Sequence, residues 1–177
     1  MHMLILLMVF LSLTDPMEID FGQEKNNTWF SVNDTVMGGR SSGKTKYTED
    51  ALVFSGSVSF ENNGGFASVR SDYEIIDLSG FSEVTIKYRC EGQSLSLNFN
   101  YYQRWWYPNY KATLPETGMK WNTVTIPLGE LKEYRVGRAT GNKISAQKLE
   151  RIIRLGIMTN DKKEGAFQAE IDYIKFN

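Results

Sequence analysis

Lys44-Thr45-Lys46-Tyr47-Thr48-Glu49-Asp50-Ala51-Leu52-Val53-Phe54-Ser55-Gly56-Ser57-Val58-Ser59-Phe60 decides the fold, because it selects between two readings of the segment before it. Gly38, Gly43, Lys44 and Thr45 match the phosphate-binding pattern G-x-x-x-x-G-K-[ST] letter for letter. A true phosphate loop leads into a helix, whose unpaired N–H groups and dipole hold the phosphate charge. Here Leu52, Phe54, Val58 and Phe60 fall on one side of a period of two, and Val53, Ser55, Ser57 and Ser59 on the other. That spacing predicts a strand. The motif therefore lacks the element that would make it bind nucleotide, and nucleotide binding through Lys44 and Thr45 stays only as a third reading.

The same alternation recurs along the chain. Met17 to Phe21 and Trp29 to Val32 read as short strands around a polar Glu24-Lys25-Asn26-Asn27 loop. Val84, Ile86, Tyr88 and Cys90 alternate with Thr85, Lys87 and Arg89. Leu95, Leu97, Phe99 and Tyr101 alternate with Ser96, Asn98 and Asn100. Further series run through Val124–Leu128, Ile153–Ile157 and Phe167–Tyr173. Each has one apolar and one wetter face, as antiparallel strands of a sandwich require. Turn residues separate them, among them Asn63-Gly64-Gly65, Glu91-Gly92 and Lys163-Glu164-Gly165. Only Ser145 to Glu150 offers a helical turn or two, with Ser145 as its cap. The expected fold is all-β: an antiparallel jelly-roll sandwich over residues 17–177 as one domain.

At 177 residues the chain is long enough for one domain with a proper core. A formal net charge of −1 gives no footprint for nucleic acid. One cysteine, Cys90, excludes an internal disulfide and a cysteine-based zinc site, and its place in an alternating strand makes it a packing residue. The lone histidine, His2, lies in the leader, so no Ser-His-Asp triad can form in the folded domain. Met3 to Leu13 is an apolar run interrupted only by Ser12, too short to span a membrane. Residues 1–16 read as a leader, which points to export; if Met17 is the true start, the protein is cytoplasmic.

Two glycine-rich motifs carry a longer pattern. Trp29 is followed by Val32-Asn33-Asp34-Thr35-Val36-Met37-Gly38-Gly39-Arg40-Ser41-Ser42, then by Phe54-Ser55-Gly56 and Glu61 to Arg70. Further pieces are Ile76-Asp77-Leu78-Ser79-Gly80-Phe81, Trp121 with Ile126-Pro127-Leu128, Gly137-Arg138 and Glu170-Ile171-Asp172-Tyr173-Ile174. Together they resemble the complex I intermediate-associated protein 30 family, from about Asp20 to the C-terminus. The resemblance implies a galactose-binding-like β-sandwich and, from the mitochondrial members, a part in assembling respiratory complex I. It implies no catalytic residue. Where relatives carry Gly-Asp-Gly after a central strand, this chain has Cys90-Glu91-Gly92.

Two candidate surfaces follow. Gly38-Gly39 and Gly64-Gly65 each sit beside amide or acidic side chains, and glycine admits both positive φ and close approach. The Leu52–Phe60 strand can return the chain so that the loops at Asn33–Ser41 and Asn62–Arg70 lie side by side. Asn33, Asp34, Met37, Arg40, Asn62, Asn63 and Arg70 would then form a polar patch for a ligand or partner. The plainer alternative is that the amides only hydrogen-bond their own loops. The second surface is Trp105-Trp106-Tyr107, three consecutive aromatics that cannot all point inward on an alternating strand. An exposed ring there suits a protein partner or a sugar. Asp20, Glu170 and Asp172 come together if the first and last strands pair, but no dedicated calcium loop accompanies them.

These readings converge on a non-catalytic binding or assembly module with no cofactor, no nucleic-acid partner and no transmembrane segment. Its expected partner is a protein, by resemblance a subunit of a respiratory complex. The alternative is a carbohydrate-binding module that uses the aromatic run as its platform.

Overall fold

The alternating segments pair into two facing antiparallel sheets in a computed structural model, which describes residues 15–22 and 29–177. The strands are β1 (Met17–Asp20), β2 (Phe30–Asn33), β3 (Ser42–Tyr47), β4 (Leu52–Val58), β5 (Ala67–Arg70), β6 (Glu83–Glu91) and β7 (Leu95–Asn100). They continue as β8 (Asn109–Leu114), β9 (Asn122–Pro127), β10 (Lys132–Arg135), β11 (Arg138–Lys143), β12 (Arg154–Thr159) and β13 (Gly165–Phe176). A six-stranded sheet runs β3-β4-β13-β6-β9, with β1 also on β13. A seven-stranded sheet runs β11-β10-β8-β7-β12-β5-β2. The result is the antiparallel jelly-roll sandwich read from the sequence. Of the leader only Asp15 and Pro16 fall within the described residues, and the Glu24–Asn27 loop lies outside them.

Between the sheets sits one continuous apolar core. Leu97, Phe99, Leu155 and Ile157 of the seven-stranded sheet meet Ile86, Tyr88, Ile171 and Ile174 of the other, all fully buried. Each such side chain contributes about 1.5–3 kcal/mol on burial. Phe99 meets Phe176 edge-on at 6.4 Å, which ties the two layers together at their centre. Cys90 belongs to this core, where burial pushes its thiol up to about 11. It packs; it is no nucleophile at neutral pH.

Lys44 and Thr45 lie within β3, which pairs along β4, so a strand does stand where a phosphate loop would need a helix. β4 ends at Val58, however. Phe60 leaves the core face and is 45% exposed before a 3-10 turn at Glu61–Asn63. Among the described residues helix is confined to that turn, to two others at Asp34–Met37 and Leu128–Glu130, and to α1 (Ala146–Leu149), which Ser145 precedes in extended geometry without a side-chain cap. Among the described residues no helix is long and apolar enough to cross a membrane.

Candidate functional site

The two glycine loops do meet, and Asp34 is where they join. β2 delivers Asp34 into a 3-10 turn, and β2 pairs with β5, which brings in the second loop. Asp34 is fully buried. Its carboxylate accepts hydrogen bonds from the Gly65 amide at 2.6 Å, the Ser41 amide at 2.9 Å, the Phe66 amide at 3.2 Å and the Ser41 hydroxyl. Its own amide donates to the Phe66 carbonyl. Burial alone would push this carboxyl up, but the donors from Ser41, Gly65 and Phe66 outweigh it and hold it below its ordinary value.

The paired glycines divide their work. Gly38 (φ +89°) and Gly65 (φ +141°) take backbone conformations that side chains resist. Gly39 has no such φ and serves the other purpose, close approach. A Cβ there would lie 2.3 Å from Asp34 Oδ1, and one on Gly64 would lie 2.7 Å from Asp34 Oδ2. These two glycines make room for the carboxylate. Asn62 and Asn63 are exposed and left-handed (φ 54° and 60°), a conformation asparagine tolerates. Asn33 donates to the Gly43 carbonyl at 3.3 Å. Arg40 pairs with Glu61 at 3.2 Å on the open surface, a contact worth at most about 1 kcal/mol. The Asp34 carboxylate thus ties the two loops into a structural knot, in which Asn33 Oδ1 is left without a partner among the described residues.

Arg70 departs from this patch. Its Nε donates to Ser68 Oγ at 3.0 Å, and no carboxylate of the described residues pairs with it. It lies instead on the outer face of the seven-stranded sheet, where strand register lays polar side chains in rows. Phe30, Arg70, Gly156, Asn98 and Lys111 stand opposite one another across β2, β5, β12, β7 and β8. A neighbouring row holds Arg154, Asn100, Asn109 and Tyr134. In a two-layer sandwich this face should be wet, yet Ser68 and Ser96 are fully buried and Asn98 and Arg154 are only 4% and 8% exposed. The face is concave: it forms the floor of a cleft of about 650 Å³.

Three loops raise the walls. Val36 and Met37 come from the turn after β2, Trp105 from the aromatic run, and Val136 from the hairpin between β10 and β11. All four are more than half exposed. The aromatic run is a loop rather than a strand, and it splits: Trp105 (61% exposed) faces the cleft, while Trp106 and Tyr107 stack on each other away from it, with Tyr102 against Tyr107. Arg135 Nε donates to the Trp106 carbonyl at 3.3 Å, which links the hairpin wall to the aromatic wall. Of the residues marked in the sequence, the cleft gathers Met37, Arg70 and Trp105. The floor residues Asn98, Asn109, Lys111 and Arg154 went unmarked, since each reads as an ordinary outward position on a strand.

On the opposite sheet β1 and β13 do pair, with Asp20 opposite Tyr173. Asp172 is occupied by Lys87 at 2.6 Å and Glu170 by Arg89 at 2.6 Å, and Arg89 lies 4.5 Å from the Trp121 ring. Among the described residues no group of three or more carboxylate, cysteine or histidine side chains is placed to hold a metal.

The fold has clear counterparts. The family 11 carbohydrate-binding module of the cellulase Lic26A-Cel5E of Clostridium thermocellum is 16% identical, with a TM-score of 0.66 over 93% of this chain and 95% of that one. The family 11 module of Clostridium thermocellum in complex with a β-1,3-1,4-mixed-linked tetrasaccharide is 17% identical, with a TM-score of 0.63 over 91% and 94%. A family 30 carbohydrate-binding module is 13% identical, with a TM-score of 0.55 over 90% and 87%. No curated protein matched the sequence. Residues 19–171 match the profile of the family described as Complex I intermediate-associated protein 30, and that span takes in both glycine loops and every strand of the cleft floor: the chain belongs to the complex I intermediate-associated protein 30 family.

Proposed function

We propose that this protein is a non-catalytic binding module that engages a protein partner through the cleft of its seven-stranded sheet, as part of assembling a multisubunit complex. The observation that carries this reading is the rim. Of the eleven exposed large hydrophobic side chains among the described residues, five line this one cleft: Val36, Met37, Tyr73, Trp105 and Val136. Such clustering marks interaction surfaces, whereas single exposed hydrophobics are ordinary. Aliphatic Val and Met gain most from covering apolar side chains, and Met and aromatic residues with Arg are what protein interfaces enrich. The family is named for association with complex I intermediates, which makes respiratory-complex subunits the expected partners.

A saccharide ligand is the second reading. Trp105 offers an exposed ring at the cleft edge, and the sandwich is similar to carbohydrate-binding modules, one of them solved with a tetrasaccharide. The test is affinity purification from the native cell with mass spectrometry, run beside a Met37→Lys/Trp105→Ala variant. Both positions are exposed, so the fold survives. Wild-type protein should retain subunits of a multisubunit complex and the variant should lose them. Retention by both would remove the cleft from the interface. Loss of all protein partners, with binding on a glycan array, would install the saccharide reading.

A further inference from the structure

Four cations line the cleft, Arg70, Arg104, Lys111 and Arg154, and no carboxylate does. None of the four forms an ion pair among the described residues, although eight other pairs are made. The chain as a whole is close to neutral, so this is local concentration of charge. Arg154 is nearly buried and is held by aromatic rings, its guanidinium carbon 3.5 Å from the Tyr73 ring centre and 5.4 Å from that of Phe30. Burial, and after it the like charge of Arg154, push the Arg70 guanidinium below its ordinary value. Burial does the same to the Lys111 ammonium. Lys111 is fixed by donating to Asn160 Oδ1 at 2.7 Å and lies 4.1 Å from the Tyr134 ring centre.

The polar atoms of the floor are equally unspent. Five buried side-chain polar atoms among the described residues have no hydrogen-bond partner, and three belong to the cleft: Arg154 Nε, Asn98 Oδ1 and Asn109 Oδ1. Asn98 is fixed by its amide nitrogen, which donates to the Ser96 carbonyl and hydroxyl at 3.1 Å each, so its free oxygen is held in place. Buried polar groups are nearly always satisfied, and clusters of exceptions need a reason. Gly156, between Arg70 and Asn98 in the row, lets the Arg70 side chain lie across the floor, where a Cβ would come within 3.4 Å of Arg70 Cγ and 3.2 Å of the Val69 carbonyl oxygen.

Building on the reading of the cleft as a partner site, we infer that its occupant is an acidic, apolar-flanked peptide segment of the partner protein. Its carboxylate seats on Arg70 and Arg154, its backbone N–H groups donate to the Asn98 and Asn109 oxygens, and the aliphatic side chains on either side cover Val36, Met37 and Val136. Arginine forks suit a carboxylate because two parallel N–H bonds match its two oxygens. The aliphatic rim separates this ligand from an acidic sugar, whose hydroxylated edges would gain little there.

Panning a random heptapeptide display library on the folded protein tests the assignment. Enriched sequences should carry a central Asp or Glu between apolar residues. A synthetic peptide of that consensus should bind at least tenfold better than its Gln or Asn counterpart, weaken with salt, and lose this preference in Arg154→Met and, independently, in Arg70→Gln. Arg154→Lys, which keeps the charge and loses the fork, should fall between. Equal affinity for the acidic and amide peptides overturns the inference. If those neutral peptides are displaced by Met37→Lys, the cleft remains the partner site and only the acidic specificity fails. If no peptide is enriched, or trigalacturonate competes better than the consensus peptide, the inference also falls, and in the latter case the saccharide reading takes the cleft.

Discussion

Asp34 and Arg154 are both buried ionic side chains, 0% and 8% exposed, yet they are treated in opposite ways. Asp34 accepts from three backbone amides and a hydroxyl, and two glycines are pared back to admit it. Arg154 has stacking rings on its faces but no carboxylate, and its Nε has no acceptor. The first arrangement is complete within the chain and holds two loops together. The second leaves a buried donor with no acceptor among the described residues. Polarity and burial alone therefore do not identify a site; what distinguishes these two side chains is whether their hydrogen bonds close within the chain.

Asp34→Asn should produce the largest effect. It removes the charge and turns an amide nitrogen toward backbone N–H donors, leaving buried donors unpaired at about 1–3 kcal/mol each. A loss of about 3 kcal/mol or more in urea unfolding is expected, with peptide binding by the remaining folded fraction unchanged. The pH dependence has a definite sign. The folded carboxyl is held below its ordinary 3.8, so its stabilisation is present above that value and is lost as pH falls through the lower folded value. The gap between wild type and Asp34→Asn should therefore narrow below about pH 4. An undiminished gap in acid would mean that the variant fails by packing alone.

This contrast explains how much the sequence could disclose. Strands such as Val84–Cys90 and Leu95–Asn100 declare themselves because one face is apolar, and period two survives any tertiary detail. β11 does not, since all of Arg138–Lys143 is exposed and the strand exists only by pairing with β10. β8 is plain in retrospect: Tyr110, Ala112 and Leu114 alternate with Asn109, Lys111 and Thr113, next to an aromatic run that overshadows them. The Asp34 knot is legible because both of its loops pair glycines with amide or acidic side chains and the strand between them can return the chain. The cleft floor is drawn from one or two outward positions on each of several strands. Its alignment depends on inter-strand register, which a single sequence does not show.

Arg154→Met tests the other side of the comparison. Replacing a buried, unpaired ion with an apolar chain of similar length removes a desolvation cost while giving up the contact with Tyr73. Stability should stay within about 1 kcal/mol of wild type, in contrast to Asp34→Asn, while affinity for an acidic peptide falls tenfold or more, roughly 1.4 kcal/mol. A collapse of stability equal to that of Asp34→Asn would show that Arg154 is structural and would erase the distinction.

The smallest expected effect lies at Val136, where the two kinds of region meet. Val136 (φ 48°) and Gly137 (φ 71°) form the two-residue connection of the β10–β11 hairpin, and both are left-handed. Such turns favour Asn-Gly, whereas a β-branched residue at positive φ is strained by about 1–3 kcal/mol. The residue is 55% exposed, so no core packing repays that strain. What its side chain does is supply part of the cleft wall, tied through the Arg135 bond to the aromatic loop. Val136→Asn should thus raise stability by about 1 kcal/mol and at the same time weaken the consensus peptide by roughly 1 kcal/mol or less, the worth of a partly covered valine. Opposite signs in the two measurements are the signature of a residue kept for recognition at a cost to the fold. If thermal unfolding shows the gain and titration shows no loss of affinity, the wall at Val136 is not part of the contact, and the apolar flank of the ligand must rest on Val36 and Met37 alone.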